Sequence, residues 1–82
     1  MKFVVYILQS IKTDRFYVGQ TQDLTSRIKR HNSGLVKSTK HGMPWNLVHS
    51  IEMPSRSSAV LLETKIKKRG AKRFLLDMNL EP

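Results

Sequence analysis

Phe3-Val4-Val5-Tyr6-Ile7-Leu8-Gln9, followed after a polar gap by Phe16-Tyr17-Val18-Gly19-Gln20, decides how this chain folds. The first run is aromatic and β-branched at odd and even positions alike, which predicts a strand covered on both faces. The second run repeats that composition over a shorter length. Ser10 to Arg15 between them is polar and suits the loop of an antiparallel hairpin. A register with Tyr6 opposite Tyr17 sets both phenols on one sheet face within cross-strand reach.

Outward from the hairpin, Thr21 or Asp23 supplies an N-cap for a helix running to about Asn32, with Leu24 and Ile28 one turn apart and Gly34 as its stop. Leu35 to Met43, carrying Lys37, Lys40 and His41, reads as an exposed basic loop. Pro44-Trp45 leads into a third strand, Asn46 to Glu52. Ser55 or Ser57 caps a longer helix with Ala59, Leu62 and Ile66 on one stripe, ending near Gly70, and Ala71 to Met78 forms a last short helix. The expected architecture is α/β (α+β): a small three-stranded, antiparallel-containing sheet flanked by about three helices, within a single domain of residues 1–82.

Fifteen Lys and Arg stand against 6 Asp and Glu, for a formal charge of +9. A chain this basic is drawn to polyanions, and nucleic acid is the default partner; a solvated basic face or contact with acidic lipid is the plainer reading. The absence of cysteine excludes disulfide frameworks, thiol nucleophiles and thiolate zinc sites. His31, His41 and His49 show no metal-cage spacing, so any metal would rest on oxygen ligands. The apolar run stops at Leu8 without a cleavage pattern, and no stretch approaches the ~20 apolar residues of a membrane span, which predicts a soluble cytoplasmic protein.

Arg27 and His31 lie four residues apart on the stripe that carries Leu24 and Ile28, so both polar heads face the sheet and need partners there. Two readings stand. One is an arginine that snorkels over the core edge with a histidine satisfied by a backbone carbonyl; the other is a phosphate-binding guanidinium beside a proton-handling imidazole. Glu63 is the lone acid between Met53 and Phe74, amid Arg56, Lys65, Lys67, Lys68, Arg69, Lys72 and Arg73. Its spacing to Lys67 suits an ordinary i,i+4 ion pair, and its place at the edge of the apolar stripe equally suits a ligand to one divalent ion. With no carboxylate cluster to bridge two ions ~4 Å apart, a two-metal mechanism is disfavoured. A tyrosine, core residue or not, could take a proton from water if Arg27, a metal or a hydrogen bond to His31 favoured its phenolate.

Val5-Tyr6-Ile7, Tyr17-Val18-Gly19, Arg27 with His31, the basic stretch from Gly34 to Trp45 and Glu63, in that order, resemble the GIY-YIG nuclease domain over nearly the whole chain. Ser38-Thr39, Pro44-Trp45 and Ile66-Lys67-Lys68 make it most similar to the small standalone bacterial members. The resemblance implies a three-stranded sheet with helices and metal-dependent hydrolysis of DNA. It implies Tyr6 as general base or its direct assistant, aided by His31, with Tyr17 on the attacking water or the phosphate. Arg27 would hold the scissile phosphate, and Glu63 would be the sole protein ligand to Mg²⁺ or Mn²⁺. Gly19 would permit close approach of backbone or substrate.

Val5 departs from the glycine of the family motif, and Asn79 is the one candidate for the asparagine that many members carry on the last element. The chain has no room for a separate recognition region, so substrate choice falls to the domain itself, an oligomer or a partner. Lys37 and Lys40, or Lys65, Lys67, Lys68 and Arg69, are the expected contacts to DNA, with RNA an open alternative. The competing function is a nucleic-acid-binding module that uses the same basic surface without turnover; a third is a basic protein packed on an RNA–protein assembly.

Overall fold

A computed structural model describes residues 2–79. Strands β1 (Phe3–Ser10), β2 (Phe16–Thr21) and β3 (Trp45–Met53) form one antiparallel sheet in the order β2-β1-β3. The helices are α1 (Leu24–Asn32), α2 (Arg56–Arg69) and α3 (Ala71–Asp77). The central β1 is covered on both faces, as its composition predicts. Val5 and Ile7 pack with Val18 against Ala59, Ile66 and Leu75 from α2 and α3. Tyr6 and Leu8 point the other way, to Trp45, Leu24 and Ile28.

Local chemistry explains where the helices begin. The Asp23 side chain accepts from the Ser26 N–H at 3.1 Å and is itself held by Thr21, whose hydroxyl accepts from the Asp23 N–H at 3.1 Å. Thus both cap candidates act, in series. Ser55 and Ser58 satisfy each other's backbone N–H groups in a capping box at the head of α2. Gly70, at φ 94°, turns the chain from α2 into α3 in a conformation that side chains other than glycine's resist.

Three expectations are corrected. The hairpin pairs Tyr6 with Gly19 and Leu8 with Tyr17, so the two phenols are diagonal neighbours and not direct partners. The reason is steric: a Cβ on Gly19 would lie 2.6 Å from the Tyr6 hydroxyl oxygen and 2.8 Å from its ring, so glycine supplies the space that the phenol fills. Residues Lys37–Gly42 form a 3-10 helix and not a loop; Lys37, Ser38, Lys40 and His41 are exposed as expected, while Thr39 and Gly42 are buried. The 3-10 helix is pinned from inside, where the Ser10 hydroxyl donates to the Gly42 carbonyl at 2.6 Å and the Trp45 indole N–H to the Thr39 carbonyl at 2.8 Å. Finally, β3 begins at Trp45, one residue before the expected start, because the Trp45 N–H donates to Asn32 at 2.6 Å and ties the strand to the end of α1.

The fit of Tyr6 over Gly19 makes a direct prediction. Gly19→Ala should cost ~1–3 kcal/mol in urea unfolding, the range for overpacking a filled site, whereas an alanine at the exposed Lys29 should cost under ~0.5 kcal/mol.

Candidate active site

The site is built around a phenol that the sheet buries. Tyr6 stands in the middle of β1 with none of its surface exposed. A hydroxyl in that position needs a partner, since an unsatisfied one costs ~1–3 kcal/mol. Its oxygen lies 3.0 Å from Nε2 of His31, which α1 delivers from its last turn, also with no exposed surface. The other ring nitrogen, Nδ1, lies 2.8 Å from the hydroxyl of Thr39, 1% exposed, in the 3-10 helix. The partner of His31 is therefore a side-chain hydroxyl and not a backbone carbonyl. Tyr6, His31 and Thr39 form one buried line of hydrogen-bonding groups across three elements.

Tyr17 closes the line on its open side. Its ring centroid is 4.8 Å from that of His31 and 6.3 Å from that of Tyr6, and it keeps part of its surface exposed where Tyr6 has none. Burial pushes the Tyr6 pKa up to about 12, with Tyr17 adding to the rise and the nearby Arg27 guanidinium pulling the other way without prevailing. The condition that a nearby group favour the Tyr6 phenolate is therefore not met by Arg27, which burial outweighs. Burial, then Arg27 and Arg30, lowers the pKa of His31, which keeps the imidazole neutral.

Glu63 turns inward from α2. Its side chain is 19% exposed, and its charge reaches Tyr6 as a small further contribution to the raised pKa. It meets Lys67 at 2.6 Å, the i,i+4 pair anticipated from spacing. No group of three or more His, Cys, Asp or Glu occurs among the described residues. That donor set does not fit a metal wanting a protein cage. It fits Mg²⁺ or Mn²⁺, hard ions that accept one carboxylate and complete their shell with water and phosphate oxygens. Separately, Gln20 Oε1 is buried without a hydrogen-bond partner, on a residue that lines a depression with Arg27 and Arg56.

Two depressions of about 320 Å³ each lie on this surface, one of them bordered by Tyr17. One is lined by Arg27, Arg56 and Gln20, the other by Tyr17, Arg15, His41 and Trp45. The basic residues expected to meet DNA divide accordingly. Lys65, Lys68 and Arg69 border a shallow outer depression with Leu61 on α2, and Arg69 is held by Asp77 through two bonds of 2.8 and 2.9 Å. Lys67 is engaged by Glu63, while Lys37 and Lys40 are exposed on the 3-10 helix. Asn79 sits exposed beyond α3 at φ 60°, its N–H donating to the Leu76 carbonyl as a helix terminator does. The asparagine that ties elements together is Asn32, which brackets the Trp45 backbone at 2.6 and 3.1 Å. Thr39, Arg15 and Arg56 were missed as site residues; a threonine or arginine in a basic stretch carries no signal until the fold places it.

The model of the GIY-YIG catalytic domain matches residues 2–75 of this chain. The chain belongs to the GIY-YIG family. It is 38% identical over 68 residues to UPF0213 protein BH0048 of Halalkalibacterium halodurans, across 82% of this chain and 71% of that one. It is 34% identical over 79 residues to UPF0213 protein YsiG of Lactococcus lactis, across 94% and 74%. A solution NMR structure of the BH0048 protein resembles it with a TM-score of 0.61 at 33% identity, covering 100% of this chain and 89% of that one. The three-stranded antiparallel sheet with helices is thus a fold shared with that UPF0213 structure. The Val5 departure from the GIY motif falls on the opposite sheet face from Tyr6, packed against the α2 side. It leaves the phenol untouched.

The neutral, buried His31 sets a pH dependence. Its pKa is lower in the folded than in the unfolded chain, where it is ~6.5. Unfolded molecules therefore bind more protons between the two values, and the stability is fully present above that window and lost as pH falls through it. Urea midpoints should decline from pH 7 toward pH 5, and His31→Asn, though less stable throughout, should show a shallower decline.

Proposed function

We propose that the protein is a divalent-metal-dependent nuclease that hydrolyses phosphodiester bonds in DNA with one metal ion and a tyrosine-assisted water. The observation that carries this reading is the 3.0 Å approach of Tyr6 and His31, both buried and both neutral, beside Arg27 and Tyr17. A binding surface for polyanions has no use for a neutral imidazole set against a phenol. A base that must take a proton from water does.

In this reading Tyr6 is a relay and not a phenolate. The water's proton passes to the Tyr6 oxygen as the phenol's own proton passes to His31 Nε2, so one O–H bond forms at the phenol as the other breaks. The hydroxide's electron pair makes the new P–O bond, and the leaving oxygen departs with the pair of the old one. Arg27 holds the scissile phosphate and offsets its growing negative charge. Its guanidinium lies against Tyr6 in the substrate-free protein, so moving onto a phosphate also uncovers the phenol's oxygen. Tyr17, the phenol with exposed surface, orients the water or a phosphate oxygen. Glu63 would hold Mg²⁺ or Mn²⁺, which supplies positive charge to the phosphoryl and leaving oxygens. Lys67 gives up its ion pair, worth only ~0.3–0.5 kcal/mol, when the ion binds.

Incubation with single-stranded, duplex, flapped and branched DNA should give cleavage with Mg²⁺ or Mn²⁺ and none in chelator. Glu63→Gln and Tyr6→Phe should each lose ~10²–10⁴-fold in rate while keeping the wild-type circular dichroism. Cleavage that persists in chelator or survives both substitutions defeats the enzymatic reading and leaves the binding module. For binding, reversing Arg15 and Arg56, which line the two depressions, should lower the salt slope by ~1 for each phosphate no longer neutralised. Reversing Lys65 and Lys68 on the outer face should change it less; the opposite ranking would move the DNA to that face.

A further inference from the structure

We infer that Thr39 is a positioning residue whose hydroxyl oxygen fixes His31 as the Nδ1–H tautomer and so leaves the Nε2 lone pair for the proton of Tyr6. The inference rests on the relay just proposed only for its consequence in catalysis; the tautomer itself follows from how many hydrogens the buried line contains.

The Thr39 hydroxyl carries a single hydrogen. Its oxygen lies 3.3 Å from the Val36 carbonyl and 2.8 Å from His31 Nδ1. With the hydroxyl's hydrogen on the Val36 carbonyl, which can only accept, the oxygen is left as an acceptor toward Nδ1. Nδ1 must then donate. A neutral imidazole has one N–H, so Nε2 is bare, and the Tyr6 hydroxyl 3.0 Å away donates to it. Every hydrogen in the line has one acceptor and no two meet.

The reverse polarity fits less well. If Thr39 donated to Nδ1, Nε2 would carry the hydrogen and point it at the phenol, whose own hydrogen would need another acceptor in a site without exposed surface. The Val36 carbonyl would also lose the hydroxyl.

The Thr39 backbone is itself held in place. Its N–H donates to the Val36 carbonyl at 3.1 Å, and its carbonyl accepts from the Trp45 indole at 2.8 Å. The hydroxyl oxygen therefore stays an acceptor when His31 takes up the second proton, because the imidazolium keeps its Nδ1–H in place. No group in the line rotates during transfer, which is the condition for a preorganised base. The residue acts through His31 and touches no substrate.

Two variants of the full chain test this. Thr39→Val keeps the shape and removes the acceptor; Thr39→Ser keeps the acceptor. Long-range ¹H–¹⁵N spectra of the imidazoles, read at a pH where His31 is neutral, should show Nδ1–H in the wild type and in Thr39→Ser. They should show a shift toward Nε2–H in Thr39→Val. With Mg²⁺ and a cleavable DNA, kcat should fall ~10²-fold in Thr39→Val with KM little changed, and Thr39→Ser should restore it. An Nε2–H tautomer in the folded wild type, or wild-type spectra in Thr39→Val, overturns the proposal. If Thr39→Val does not fold, the wild-type and Thr39→Ser spectra still decide. The expected tautomers without any cleavage by the wild type would uphold the placement and reject the nuclease reading, so the two fail separately.

Discussion

The rest of the structure depends on burying one phenol in the middle strand of a three-stranded sheet. Tyr6 has neighbours on both sides, β2 and β3, and helices over both faces, so in the substrate-free protein its hydroxyl is closed off from solvent. Two things follow from that constraint. The residue opposite must be small, and Gly19 is. The hydroxyl must be satisfied from within, and only a side chain with a second polar end can hand the requirement on. His31 does so, to Thr39, whose 3-10 helix is in turn fastened by Ser10 and Trp45. Residues from β1, α1, the 3-10 helix and β3 are thereby fixed relative to one another by hydrogen bonds as well as by apolar packing.

Charge is arranged around that line by the same economy. The chain has an excess of cations, yet the described residues near Tyr6 include one inward carboxylate, and it is neutralised by Lys67 until something displaces the amine. Arg27 and Arg56 stand at one depression, and Arg15 with Tyr17 at the other.

What the sequence could disclose was what is local. Strands show in β-branched runs, helix starts in Asp23 and Ser55, the apolar stripe of α2 in Ala59, Leu62 and Ile66, and Glu63 in its isolation among cations. The hairpin register was not legible, because equal strand compositions allow more than one alignment and the choice is made by the fit of Tyr6 over Gly19. The 3-10 helix was not legible either. Its residues, Lys37 to Gly42, are polar and basic, and what orders them is contact with Ser10 and Trp45. Thr39 belongs to the same class of surprise: a hydroxyl becomes a determinant only when tertiary structure sets an imidazole beside it.

A buried polar line of this kind is costly unless every group is paired, and replacing all three members with apolar residues of similar shape would satisfy the fold as well. Phenylalanine at 6, leucine at 31 and valine at 39 would fill the same volume without any requirement for matched hydrogens. Stability alone therefore does not account for the choice of tyrosine, histidine and threonine. The proposed nuclease reading, which needs neutral groups able to exchange a proton, does account for it, and the partly exposed Tyr17 against the His31 ring marks the side nearest solvent.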